Sequence, residues 1–419
     1  MVAAELSLEE AGFVFTSSTA YTDPEHWHQA AAKVRAEDSV HWVDHPKFNP
    51  FWAITRHTDV MEIELHNEDF LNEPRGTIGS KEADARRASG DLPRISALVF
   101  MDGEHHKKHR DLAASWFRPS NLRRLQSRLD QLSEQAVEKM VQAGGEIDFA
   151  AELAVEYPLQ VILAMMGLPE SDYPRMLKLT QELFGAEDPE LGRDQGDHLT
   201  GLQETILDFF SYFTGITADR QANSTEDFCS VVANAEIDGA PIAVEDQLGL
   251  YIIAATAGHD TTSHSMAGGM QALCEHPEQF ARLQADPSLI STAVDEMIRW
   301  TSPVKHFART AARDYELGGK TIKEGQDVLL SYWSANRDED VFTDPFTFDV
   351  GRRPNNHLAF GFGVHFCLGA TLAKMELASL FGALIPRLES VELASPGALS
   401  RSSFVSGYKH LPIRYRMKT

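Results

Sequence analysis

The stretch Phe360-Gly361-Phe362-Gly363-Val364-His365-Phe366-Cys367-Leu368-Gly369 decides how this chain is read: a cysteine held in a glycine-bent, aromatic-lined loop. Just downstream, Leu372, Met375, Leu377, Leu380, Phe381 and Leu384 recur at helical spacing, so an amphipathic helix is predicted to start there. Cys367 therefore sits near a helix N-terminus. Free backbone N–H groups at that end stabilise an anionic sulfur, and the thiolate is the form of cysteine that binds metal. Gly363 and Gly369 let the backbone turn and pass close to a flat ligand without a Cβ in the way. Phe360 and Phe366 are placed to keep water from the sulfur, and His365 to aim a donor at a carboxylate. A free cysteine is more often a small buried hydrophobe. The whole pattern, with Gly361 and Gly369 flanking Cys367, points instead to a thiolate seat for haem iron.

Composition sets the bounds. The 419 residues exceed the usual single-domain size, yet no linker or low-complexity tract divides them, so one domain over residues 1–419 is expected. With 43% hydrophobic residues there is material for a large core, while mean hydropathy is negative. Residues 1–15 carry Glu5, Glu9 and Glu10 and no long apolar run, which predicts neither signal peptide nor membrane anchor and a cytoplasmic location. Three widely spaced cysteines, Cys229, Cys274 and Cys367, suit a reducing compartment. A net charge of −24 argues against nucleic acid or anionic membrane as partner.

The cysteine segment resembles the Phe-x-x-Gly-x-His/Arg-x-Cys-x-Gly signature of the cytochrome P450 superfamily, the haem-thiolate monooxygenases. Such a resemblance implies a mainly α fold with small β-sheets, a prism-shaped α-rich part with a β-rich lobe on the substrate side. It also implies haem b as cofactor, Cys367 as the iron ligand, and dioxygen as co-substrate.

A second element is Ala257-Gly258-His259-Asp260-Thr261-Thr262, inside an apolar helix expected over residues 244–274. Thr261 can bond back to a carbonyl one turn earlier and bend the helix, and Gly258 leaves room above a haem face. Asp260 and Thr261 together offer a carboxylate and a hydroxyl for a proton relay. Alone, Asp-Thr-Thr is more often a cap; it is similar, however, to the family's Ala/Gly-Gly-x-Asp/Glu-Thr motif. Glu296 and Arg299, an i, i+3 pair, match the family's Glu-x-x-Arg element, which implies a structural lock on the loop presenting the sulfur. His106 and Arg110 share a helix face. The resemblance assigns them to one haem propionate, with Arg309 and His365 on the other. The family's Asp-Pro-Pro lead-in is Asp102-Gly103-Glu104 here, which leaves His105 and His106 open to confusion. His105 and His109 also have zinc-ligand spacing. Lys107 and Lys108 would repel a cation and no third ligand is evident, so that reading is set aside.

Leu98, Phe184, Ile253, Ala254, Val304, Phe307, Phe404 and Val405 fall where such enzymes read substrate, and their apolar character implies a compact hydrophobic guest held by shape. Segments 166–184, 256–265, 304–309 and 355–372 look like the bacterial terpineol-hydroxylating branch. That implies a monoterpenoid, alkylbenzene or aromatic hydrocarbon as substrate, with electrons from a 2Fe-2S ferredoxin and its reductase. Arg110, Arg118, Arg353 and Lys374 are the expected docking cations. A peroxide-driven oxygenase, for which the Asp-Thr pair is a poor fit, and a non-catalytic haem sensor are the competing readings.

Overall fold

The computed structural model describes residues 6–193 and 196–418. Residues 1–5 of the acidic N-terminal stretch, including Glu5, lie outside the described residues. The architecture is mainly helical with small sheets, as the family resemblance implies.

Ten helices build the site. They are α1 His57–Leu65, α2 Gly103–Ala114, α3 Pro119–Ala143, α4 Glu156–Met166 and α5 Tyr173–Phe184. After them come α6 His198–Ala222, α7 Val244–Ala257, α8 Asp260–Glu275, α9 Ile290–Thr301 and α10 Ala370–Arg387. The apolar spacing read after Cys367 is the inner face of α10. Leu372, Leu377, Leu380, Phe381 and Leu384 are buried there, against the Leu125, Leu129, Leu132 and Met140 stripe of α3. Each such leucine or phenylalanine contributes about 1.5–3 kcal/mol on burial, enough to fix where α10 begins.

The helix expected over residues 244–274 is two helices. α7 ends at Ala257 and α8 starts at Asp260. Two hydroxyls explain the break: Thr256 Oγ1 donates to the Ile252 carbonyl at 2.7 Å and Thr261 Oγ1 to the Ala257 carbonyl at 2.6 Å. Both contacts compete with the helix's own ladder. The fully buried His259 ring then holds the step in place, with Nε2 3.0 Å from the Val155 carbonyl and Nδ1 2.9 Å from Thr180 Oγ1.

Five strands form the main sheet: β1 Val40–Val43, β2 Phe51–Ile54, β3 Phe70–Leu71, β4 His306–Ala311 and β5 Asp327–Ser331. Their order is β1-β2-β5-β4-β3, with β5 parallel to β2 and antiparallel to β4. Strand alternation puts Phe307 and Arg309 on the same face of β4. Among the described residues one stretch, Phe149–Met166, is long and apolar enough to cross a membrane, and 67% of it is buried inside the fold.

Candidate active site

Gly361 and Gly363 take φ of +68° and +65°, the left-handed region that favours glycine. A Cβ on Gly363 would also lie 2.5 Å from the Glu64 carbonyl, so the loop can seat against the end of α1 only as glycine. Gly369 has an ordinary φ of −86° and open space around it, so the turning role expected of it belongs to Gly361. The Cys367 N–H donates to the Phe360 carbonyl at 2.9 Å and closes the loop. Cys367 opens onto a cavity of about 500 Å³. Burial raises its thiol above the usual cysteine range, while the N–H groups of Gly369 and Ala370 and the Arg110 guanidinium favour the anion. A metal at that sulfur would decide the balance, because coordination deprotonates a thiol outright. Phe360 lines the cavity as expected. Phe366 does not shield the sulfur from inside; it is 44% exposed on the outer surface, beside Val364.

His106, Arg110, Arg309 and His365 converge on this cavity from α2, β4 and the cysteine loop. The His106 and His365 rings lie 4.0 Å apart. Burial and the nearby Arg309 and Arg110 push His365 down to about 2, and burial with Arg110 also lowers His106. His106 Nε2 is buried without a partner. Two guanidiniums and two neutral imidazoles gathered at one wall form a donor set suited to carboxylates. That composition, above an inward-facing sulfur, fits haem b with its two propionates. The ambiguity of register is resolved: His106 faces the cavity, whereas His105 is turned to Asp246. Asp102 does not cap α2; its carboxylate accepts from the Asn72 and Glu73 N–H groups instead.

Sequence reasoning missed Glu64. Its Oε1 accepts from Tyr332 Oη at 2.7 Å and Arg309 Nη2 at 3.3 Å, which orients Arg309. Burial, partly offset by Arg309 and Tyr332, pushes the carboxyl up to about 7. Nothing in the local sequence signals it, since 245 residues separate Glu64 from Arg309.

On the opposite wall Ala257, Gly258, Thr261, Thr262 and Ser265 line the cavity, but Asp260 does not. The Asp260 side chain is buried behind that wall, its Oδ1 3.5 Å from His259 Nδ1 and its Oδ2 unpartnered. The structure therefore puts the Thr261 hydroxyl at the cavity surface and the Asp260 carboxylate behind it. Gly258 serves packing first, because a Cβ there would meet Ile162 Cδ1 of α4 at 2.4 Å.

Leu98, Phe184, Ile253, Ala254, Val304, Phe307, Phe404 and Val405 all line the same cavity. Phe404 is their hub, with ring centroids 5.3 Å from Phe307 and 5.9 Å from Phe184. A bridge between Val304 and Val405 ties the two late segments together. Leu202 and Ile206 of α6 join them and were not foreseen; an apolar i, i+4 pair was the only available sign.

Glu296 and Arg299 are fully buried, with Arg299 Nε and Nη2 each 2.7 Å from the carboxylate. Arg352 Nε adds contacts of 3.1 Å to both oxygens, and the Asp349 N–H donates to Oε1 at 3.0 Å. Arg299 Nη1 donates at 2.9 Å to the carbonyls of Asn336 and Pro345. Of the four expected docking cations, Arg118 and Arg353 are exposed. Lys374 is paired with Asp295 at 2.7 Å, and Arg110 donates to the Phe366 carbonyl at 2.6 Å, so both are already engaged.

The family model for cytochrome P450 matches residues 45–395. Cytochrome P450-terp of a Pseudomonas species is 41% identical over 405 residues, covering 94% of this chain and 95% of that protein. A steroid C26-monooxygenase of Mycolicibacterium smegmatis is 33% identical, covering 92% of this chain and 89% of that protein. Among solved structures, CYP108D1 from Novosphingobium aromaticivorans superposes with a TM-score of 0.90 at 39% identity, covering 98% of this chain and 99% of that one. CYP268A2 of Mycobacterium marinum, solved in complex with pseudoionone, gives 0.87 at 32% identity, covering 99% of each chain.

Proposed function

Since this chain belongs to the cytochrome P450 family, and is thereby a haem b monooxygenase, we propose that it hydroxylates a compact apolar substrate with electrons from a 2Fe-2S ferredoxin. The substrate class is a monoterpenoid, alkylbenzene or aromatic hydrocarbon. All 419 residues form one P450 domain in this reading. The bound haem supplies dioxygen activation; the chain supplies everything that directs it.

Cys367 would ligate the iron, with the Gly369 and Ala370 N–H groups bearing on its sulfur, and His106, Arg110, Arg309 and His365, which line the same cavity, would hold the propionates. Thr261 manages protons at the far wall, with the Asp260 carboxylate as its proton reserve behind that wall. Because the Thr261 proton is committed to the Ala257 carbonyl, its oxygen is left as an acceptor that can orient a proton donor in the cavity. Thr261→Ala is expected to keep the thiolate-type carbon monoxide spectrum, while hydroxylated product per NADH falls several-fold and hydrogen peroxide rises. Thr261→Ser should restore coupling, and tight coupling in Thr261→Ala would refute the assignment.

The observation that carries the substrate class is the apolar group around Phe404, in which eight side chains from five segments offer no hydrogen-bond donor or acceptor. A guest is then selected by shape and apolar area. P450-terp, at 41% identity against 33% for the steroid enzyme, favours a terpenoid-sized guest over a steroid. Arg118 and Arg353, with the exposed Val364 and Phe366, support ferredoxin docking on the sulfur side. Free thiols at Cys229 and Cys274 support a cytoplasmic setting.

The test is spin-state titration of the holoprotein with monoterpenes, alkylbenzenes and polycyclic aromatics. It is followed by NADH consumption with ferredoxin and reductase. A snug guest is expected to shift the Soret band and stimulate NADH use, with the rate falling as salt is added. A response to steroids alone, or salt-independent reduction, overturns the substrate class or the docking face respectively.

A further inference from the structure

His105 and His109 of α2 meet Asp246, in the first turn of α7, 141 residues beyond His105. Asp246 Oδ2 lies 3.1 Å from His105 Nε2 and 3.1 Å from His109 Nε2, and the three ligand atoms lie within 4.8 Å of one another. Ligands about 2.0–2.1 Å from a tetrahedral zinc are separated by roughly 3.3 Å, so the two 3.1 Å separations match edges of such a site, and the His105–His109 edge closes on a shared ion by a small turn of the half-exposed His105 ring.

Hydrogen bonding fixes the tautomer of the neutral His109 ring and leaves its inner nitrogen without a donor partner. His109 Nδ1 lies 2.8 Å from the His105 carbonyl, and only an N–H on Nδ1 can make that contact. In the neutral ring this leaves Nε2 with a bare lone pair. His109 is 5% exposed, and its Nε2 has no hydrogen-bond partner although a carboxylate oxygen is 3.1 Å away. A lone pair facing a carboxylate oxygen in a buried place is unfavourable. A divalent cation between them removes the conflict, and the Nδ1–H···O=C contact is the support that zinc-bound histidines use. The carboxylate is oriented as well, since Ser96 Oγ donates to Oδ1 at 2.5 Å. Its backbone setting is fixed too, because the loop at Ser96 runs so close to α7 that a Cβ on Gly249 would sit 1.8 Å from the Ser96 carbonyl.

Two lysines argued against this site in the sequence. In the structure Lys108 is paired with Asp238, and Lys107 reaches toward Glu104 at 4.0 Å. Neither ammonium is directed at the imidazoles, and the net charge of −24 favours cation capture overall.

We propose that His105, His109 and Asp246 form a zinc site, with water completing the shell on the half-exposed His105 side, which fastens α2 and the Ser96 loop to the start of α7. Zinc here joins the helix that carries His106 and Arg110 to the helix that carries Ile253 and Ala254. The site itself is independent of the substrate assignment.

The experiment uses purified holoprotein, in which haem already occupies Cys367, freed of metal by chelator and titrated with Zn²⁺ against a chromophoric competitor. Thermal unfolding is followed with and without the metal. The parent is expected to bind one equivalent and to unfold at higher temperature when zinc is present. His105→Ala and Asp246→Asn are expected to weaken binding at least tenfold and to abolish the thermal shift, with the haem spectrum unchanged. His105 is surface-placed, so its variant should fold; Asp246→Asn keeps the side-chain shape. Absence of stoichiometric binding in the parent, or equal affinity in the parent and both variants, overturns the proposal.

Discussion

Glu296→Ala is expected to destabilise the protein by about 3–5 kcal/mol, the usual consequence of removing one partner from a buried ion pair. The magnitude is large because Glu296 is the carboxylate on which both Arg299 and Arg352 close, and all three side chains are buried. Without it two guanidiniums remain in low dielectric, and the Asp349 N–H and Asn355 amide also lose an acceptor. Against a total folding stability of about 5–15 kcal/mol, such a loss consumes roughly a fifth or more. The segment from Asn336 to Asn355 held by this network precedes the cysteine loop directly, so the defect should appear in haem retention as well as in unfolding. Glu296→Gln keeps the shape and part of the hydrogen bonding but leaves the positive charges uncompensated, and should fall between parent and alanine variant. Urea unfolding midpoints and haem-to-protein absorbance ratios measure both effects. Parental values of both in Glu296→Ala would mean that the network does not hold the loop.

The order in which features of this chain became legible follows how local their physics is. The helix after the cysteine and the Glu296–Arg299 pair each reside in a few consecutive residues, and their geometry was foreseen; within the cysteine loop the turn falls on Gly361 and Gly363, not Gly369, and Phe366 faces outward. The eight pocket residues lie far apart, yet the apolar character of each and the family likeness were enough to gather them. What the sequence concealed depends on a partner from elsewhere. The step between α7 and α8 is fastened by Val155 and Thr180, residues of other segments, acting on His259. Asp260 beside Thr261 looked like a joined relay, but consecutive helical residues point about a quarter-turn or more apart, so only the hydroxyl reaches the cavity. Lys374 looked like a free docking cation until Asp295 of α9 came beside it. Asp246 and Glu64 likewise acquire their significance only once helices distant in sequence are packed together.

Cys367→Ala is expected to abolish the thiolate-type carbon monoxide difference band and monooxygenase turnover together, while leaving the fold intact. The side chain removed is small and opens on the cavity, so few packing contacts are lost with it. The loop's own constraints, the Cys367 N–H to Phe360 carbonyl bond and the left-handed Gly361 and Gly363, do not involve the sulfur. Haem should still associate weakly, because Arg110, Arg309, His106 and His365 continue to present donors for its carboxylates. What disappears is the thiolate that would hold the haem iron, which neither other cysteine can replace: Cys229 is buried with its thiol pushed well above the usual range, and Cys274 is pushed up to about 12, both chiefly by burial. Cys367→Ser separates charge from geometry, since a hydroxyl accepts the same Gly369 and Ala370 N–H groups but does not supply a soft anion at neutral pH. Circular dichroism, haem content and the reduced carbon monoxide spectrum of the two variants measure the three consequences separately. Retention of the thiolate-type band in Cys367→Ala would place the iron on a different residue and remove the basis for every role assigned around this cavity.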